Sequence, residues 1–196
     1  MGALPDAGTR PASPRRQALV ARMKDPDADV RAAAASALER IEARATLDRL
    51  VATFDSSDPQ MQLKIVFGLK SLNDERALEP LVRALRAKSD EVRASAARVL
   101  GDLAHPRTIG PLVEALDDPS LPVRAVAAEA LGRFRDRRLT DPLVACLDTT
   151  DEHLLDAVLG ALGAIADPRA EAAILPFLDH PSPRIRARAC WAIGNL

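Results

Sequence analysis

The chain repeats itself every 31 residues, and that period constrains its fold more than any other feature. Arg76, Arg107, Arg138 and Arg169 share one column; Gly101, Gly132, Gly163 and Gly194 share another. Val30, Met61, Val92, Val123, Leu154 and Ile185 carry the period through the sequence. So do Leu38, Leu69, Leu100, Leu131, Leu162 and Ile193, and Met23, Phe54, Leu85, Leu116, Leu147 and Leu178. A fixed period of this size is the mark of a solenoid, in which each unit buries its apolar face only against its neighbours.

Within a unit the apolar spacing is helical. Leu78, Leu81, Val82 and Leu85 define a first helix, A; Lys88-Ser89-Asp90 makes a polar loop; Val92, Ala96, Val99, Leu100 and Leu103 define a second helix, B. Six two-helix units follow, at 14–44, 45–75, 76–106, 107–137, 138–168 and 169–196, after a Gly/Pro/Ser/Thr-rich lead-in at 1–13 that is expected to be disordered. Ser13-Pro14 reads as an N-cap and first helical residue. The predicted fold is an all-α, right-handed α-solenoid. Composition agrees: hydrophobic residues reach 47% with aromatics at only 3%, an aliphatic, Ala-rich helical core.

Local rules account for the special residues. Pro80, Pro111 and Pro142 fall in the first turn of helix A, where an N–H has no intrahelical acceptor. Gly101, Gly132 and Gly163 sit near the end of helix B, where a missing side chain lets neighbouring helices approach. Pro176, inside the last helix A, is expected to kink or shorten it. The last residue, Leu196, aligns with core residue Leu103 and no polar capping helix follows. Apolar surface is therefore expected around Ile185, Ala189, Ile193 and Leu196, with end-to-end self-association or a further repeat to cover it.

The segments Arg76-Ala-Leu-Glu-Pro-Leu-Val-Arg-Ala-Leu and Glu91-Val-Arg-Ala-Ser-Ala-Ala-Arg-Val-Leu-Gly-Asp-Leu resemble HEAT repeats of the type first grouped with phycobilisome lyases. The resemblance covers about 14–196 and is specific for fold, but such repeats serve scaffolds, adaptors, lyases and other enzymes. It implies that Arg31, Arg93, Arg124 and Arg186, early in helix B, form a ladder between repeats by pairing with loop Asp or carbonyl groups. Asp25, Asp27, Asp90, Asp118 and Asp179 are the candidate partners. Gln62 and Leu155 interrupt the column, so the ladder should break there. It also implies that B helices line a concave side.

Candidate chemistry is sparse. His105, His153 and His180 occupy unrelated positions of the period, so no metal set is expected; the HEAT-type hydroxylase pattern of His-Glu pairs is missing at Ala128-Glu129. Cys146 and Cys190 align with Ala84 and Ala115, and with Ala97, Ala128 and Leu159, and so read as buried, inert core thiols. No catalytic residue, cofactor or metal is expected. Net charge is −1, which argues against a general polyanion or membrane surface. Neither an apolar run of transmembrane length nor a signal-peptide h-region is present, and Asp6 breaks the myristoylation pattern; a cytoplasmic setting is expected.

The residues that vary between repeats on helix B are the candidate partner-binding surface: Leu63, Lys64, Phe67, Arg98, Asp102, Glu129, Arg133, His153, Asp156, Gly160, Arg188 and Trp191. Phe67 with Leu63 either forms an exposed patch beside Arg98 or packs inward. Gly160 leaves a notch that Trp191 either walls or fills, rimmed by His153, Asp156, Arg133 and Arg188. The expected function is a non-catalytic protein-interaction scaffold that docks a protein or peptide segment along the B helices. The alternatives are a bilin-lyase-type enzyme and a nucleic-acid-binding repeat protein, the latter resting on Arg98, Arg133, Arg184 and Arg188.

Overall fold

A computed structural model describes residues 13–71 and 75–196, all helix and connecting turns with no strand among them. The helices are α1 (Pro14–Arg22), α2 (Ala28–Phe54), α3 (Pro59–Ser71), α4 (Leu78–Ala84), α5 (Asp90–Leu103), α6 (Ile109–Glu114), α7 (Leu121–Gly132), α8 (Thr140–Ala145), α9 (Glu152–Ile165), α10 (Glu171–Ile174) and α11 (Pro183–Ile193). They fall into two compact units, one ending at Ala52 and one spanning Thr53–Leu196. The predicted lead-in lies, but for Ser13, outside the described residues.

In the larger unit the long B helices form one layer, α3 against α5, α5 against α7, α7 against α9 and α9 against α11. Each shorter A helix (α4, α6, α8, α10) packs on the B helix that follows it. The core between them is aliphatic, with Leu81, Leu100, Leu112, Leu131, Leu143, Leu162, Ile174 and Ile185 fully buried. The glycine column sets the helix approach. A Cβ built on Gly101 would stand 2.5 Å from the Ala130 Cβ, and one on Gly132 or Gly163 would stand 2.8 Å from the Ala161 or Ala192 Cα.

The turns repeat as faithfully as the core. Asp27, Asp58 and Asp151, in one column, accept hydrogen bonds from the free N–H groups that open a B helix. His105, Asp136 and Asp167 do the same at the 3-10 turn opening helix A. Just before them, Ala104, Arg135 and Ala166 take left-handed φ values of 47°, 51° and 56°, a conformation that favours glycine.

Four expectations need correction. The units are not all two separate helices: α2 runs 27 residues without a break and merges helix B of the first with helix A of the second. The cause is legible. Where other repeats place His105, Asp136 or Asp167 as a cap, this one has Ala43, and Glu39 to Ala45 contains no Pro, Gly or capping residue to stop a helix.

The columns that predicted core at Met23, Val30 and Met61 fail, for all three are exposed. In the smaller unit α1 buries none of its residues, and among the described residues only Ala34 and Leu47 are buried hydrophobics.

Ile185 and Ala189, expected to be bare, are fully buried, because α11 turns them onto α9 and α10. Ile193 and Leu196 are half-buried, and the exposed large hydrophobics of this repeat are Leu175 and Trp191.

Cys190 is exposed, not core. Its column mates Ala97, Ala128 and Leu159 are buried in a layer where another B helix follows their own.

Pro176 acts as expected: α10 has four residues and gives way to a 3-10 helix at Leu175–Asp179. Ser13 caps α1 by accepting the Arg16 N–H.

Candidate functional site

The arginines early in helix B work mainly within the protein. Arg93 forms a bidentate pair with Asp118 of the next repeat, Nε to Oδ2 at 2.7 Å and Nη2 to Oδ1 at 2.9 Å, and also donates to the Ala87 and Lys88 carbonyls. Arg31 donates to the carbonyls of Asp25 and Pro26, and Arg186 to those of His180 and Pro181. Of the carboxylates proposed as partners, Asp118 alone receives a ladder arginine. The residue 31 places after it is Thr149, which is why Arg124 finds no equivalent acceptor and its buried Nε stands without a hydrogen bond among the described residues. Gln62 does not break the pattern outright. Its Nε2 donates to the Phe54 carbonyl at 3.1 Å, so a shorter side chain still ties the helix to its preceding turn. Leu155 is buried and does break it.

Burial of Asp118 works against its ionisation, but Arg93, the Ser120 N–H and the nearby Arg93 and Arg124 charges outweigh it and hold the carboxyl below the usual carboxylate range. The Asp118 bonds in turn push the Arg93 guanidinium upward.

On the variable face of the B helices, the structure separates the candidates into two ionic clusters and two aromatics. Asp102 is held between Lys70, at 2.6 Å, and Arg133. The Lys70 hydrogen bond, against some desolvation, lowers its carboxyl from the ordinary value. Asp156 accepts two bonds from Arg188, at 2.9 and 3.1 Å, and one from Arg184 at 2.9 Å. Desolvation opposes ionisation there too, and the two arginines overcome it. Each cluster has two cations around one carboxylate. Arg98, in the repeat between Lys70 and Arg133, makes no hydrogen bond or ion pair among the described residues and is exposed.

Phe67 is 51% exposed with Leu63 half-buried one turn away, so the outward patch is the arrangement formed. Lys64 is exposed beside them. Trp191 is 47% exposed but does not wall the Gly160 notch: its ring lies across Gly163, with Cζ3 at 2.6 Å from where a Cβ there would stand. The side chain over Gly160 is Arg188, whose Cδ, Cζ and Nη1 would be 3.8 Å from a Cβ. The Arg188 guanidinium also sits 5.7 Å from the Trp191 ring centroid, a cation–π contact.

Gly160 and Arg188 border a groove of about 520 Å³ whose walls also include Glu129, Arg133, Arg135 and Asp156. His153 is exposed and is not part of it. Sequence reasoning missed two of the groups involved. Lys70 breaks the glycine column, and Arg135 stands in the left-handed column between two alanines; both departures from the period were visible. His105 and His180 serve their turns, each Nδ1 accepting a backbone N–H, and no group of three metal-capable side chains exists among the described residues. None of the described helices is long and apolar enough to cross a membrane.

Comparison with known proteins agrees with this architecture. The family described as HEAT repeats matches residues 16–92 and 83–158. Among solved structures, the complex of CpcE and CpcF of phycocyanin lyase from Nostoc sp. PCC7120 superposes with a TM-score of 0.68 at 29% identity, covering 76% of this chain and 64% of that one. The chain therefore spans less than two thirds of that relative. A designed armadillo repeat protein in complex with the peptide (KR)4 superposes with a TM-score of 0.58 at 19% identity, covering 93% of this chain and 99% of that one, a likeness of fold. No curated protein sequence matches. The 31-residue period, the two-helix layers and the family match together place the chain in the HEAT-repeat family.

Proposed function

We propose that the protein is a non-catalytic interaction scaffold whose partner docks on the exposed face of the B helices of the larger unit. The observation that carries this is the contrast between columns. Core columns such as Val92, Val123, Leu154 and Ile185 stay aliphatic and buried, whereas the outward column Phe67, Arg98, Glu129, Gly160, Trp191 changes chemistry at every step and is exposed at four of its five positions. A rigid frame with a variable outward column is what recognition of an extended partner requires. Four charged groups of this face, Asp102, Arg133, Asp156 and Arg188, are already oriented by internal partners, which lowers the ordering cost on binding.

Photo-crosslinkers placed at Phe67, Arg98 and Glu129, with Arg86 and Glu114 on the A-helix side as controls, test the reading in the native cell. Adducts from the first set and none from the second are expected; adducts from the controls alone would contradict it.

The second reading is a subunit of a bilin-lyase-type enzyme, favoured by the superposition on the CpcE–CpcF complex. Absorbance of the protein after mixing with a bilin separates the two. A bound-bilin spectrum supports the lyase reading, and an unchanged sum of the two spectra supports the scaffold.

A further inference from the structure

We propose that the groove bordered by α7, α9 and α11 is the docking site for an acidic peptide segment of a partner protein, and that Arg188, Arg133 and Arg135 receive a Glu or Asp side chain there. The inference rests on the scaffold reading and adds the partner's chemistry.

The charge on this face is unbalanced by construction. Asp102 is shared by Lys70 and Arg133, and Asp156 by Arg184 and Arg188, so each cluster keeps one cation in excess. Arg98 and Arg135 add two more with no ion pair among the described residues, and Glu129, whose charge acts on Arg188, offsets only one of the four.

The groups are also aimed. Asp156 takes the Nε and Nη2 edge of Arg188 and leaves Nη1 without a hydrogen bond among the described residues, on the side of Gly160. With no side chain at Gly160, that nitrogen is reachable from the groove. A guanidinium with one edge fixed and another free is a preorganised carboxylate receptor. Trp191, under the same guanidinium and half exposed, offers apolar cover beside it.

A protein carboxylate fits better than a nucleic-acid backbone. Each strand of a nucleic-acid duplex places a charge about every 3.4 Å along the axis, and a single strand likewise carries one at every nucleotide without interruption. Glu129 in the groove wall and the Asp102 and Asp156 clusters along the same face would oppose such a strand. An acidic peptide can set its few carboxylates at the cationic points and place other residues between them.

The test is fluorescence anisotropy on the full chain with labelled (DE)4 peptide. The probes for comparison are (KR)4 and an oligodeoxythymidine of equal formal charge to (DE)4. Saturable (DE)4 binding is expected, at least ten-fold tighter than (KR)4 and tighter than the oligonucleotide. Gly160→Leu, which fills the groove, should weaken it ten-fold or more, and Arg135→Gln, an exposed residue outside the core, several-fold. Arg86→Gln on the A-helix side should leave it unchanged, and melting curves show that each variant is folded. Binding of the oligonucleotide as tightly as (DE)4, a preference for (KR)4, or (DE)4 affinity unmoved by both groove variants would each overturn the proposal. If (DE)4 fails to bind while crosslinks still form from Phe67, Arg98 and Glu129, the acidic-partner inference falls and the scaffold reading stands. If those crosslinks fail as well, both fall.

Discussion

Gly132 and Ala161 meet backbone to side chain: a Cβ built on Gly132 would stand 2.8 Å from the Ala161 Cα and 3.0 Å from its Cβ. Backbone cannot yield as a flexible side chain does, so Gly132→Ala must push α7 from α9. The expected loss is about 1–3 kcal/mol, the usual cost of overpacking, read from urea unfolding. Gly160→Ala is the matched control. Its Cβ would meet only the Arg188 side chain at 3.8 Å, so removing a helix-interior glycine should stabilise by up to about 1 kcal/mol.

The Arg93–Asp118 pair should matter where other ion pairs do not. Their side chains are 13% and 8% exposed, against 80% and 71% for Arg86 and Glu114. Asp118→Ala leaves a mostly buried guanidinium with only carbonyl partners and should cost about 3 kcal/mol. Glu114→Ala should change stability by less than about 0.5 kcal/mol. Chemical denaturation of both variants checks the ranking.

Ala104 and Ala166 occupy left-handed turns that an L side chain adopts at a cost. Ala104→Gly and Ala166→Gly should each stabilise by roughly 0.5–1 kcal/mol, with melting temperature as the readout.

Acid should loosen the array in a defined window. The buried Asp167 carboxylate accepts bonds from Arg169 and from the Thr140 hydroxyl, at 2.7 Å, and these bring its pKa down to about 2. The folded value lies below the unfolded one, near 3.9. Between them the unfolded chain binds more protons, so this contribution is complete above about pH 4 and is lost as pH falls toward 2. Asp102, Asp118 and Asp156 shift in the same direction and act in the same sense. Thr140→Val should raise the Asp167 pKa, measurable by NMR titration, and move acid unfolding to higher pH.

The two thiols should separate cleanly. Burial pushes the Cys146 thiol up, and its Sγ lies 3.4 Å from the Pro142 carbonyl, whereas Cys190 is exposed. One fast and one slow phase with a thiol-reactive dye are expected, and Cys190→Ser should remove the fast one.

The period made the layers and the glycine approaches legible, because each depends on a contact repeated at fixed spacing, and the family resemblance implied the Arg93 pairing. What it hid were events that depend on a missing signal or on a neighbour. Ala43 in place of a capping residue let α2 run on. Cys190 shares a column with residues that the next B helix helps to bury, yet is itself exposed. Trp191 was placed against Gly160, its own column, but helix packing sets it on Gly163 of the preceding repeat. At the candidate site, residue types were readable and pairings were not. Whether Asp156 takes Arg184, Arg188 or both depends on side-chain directions that one dimension does not carry.

The central claim is that the B-helix face engages a partner, and Trp191 reports on it directly. It is the single tryptophan in a chain without tyrosine, it is half exposed, and it touches Arg188. Titration of the full chain with its crosslinked partner segment, followed by Trp191 emission, should give a saturable shift that Gly160→Leu weakens. A bound segment that leaves Trp191 emission unchanged and binds Gly160→Leu equally well would contradict the account.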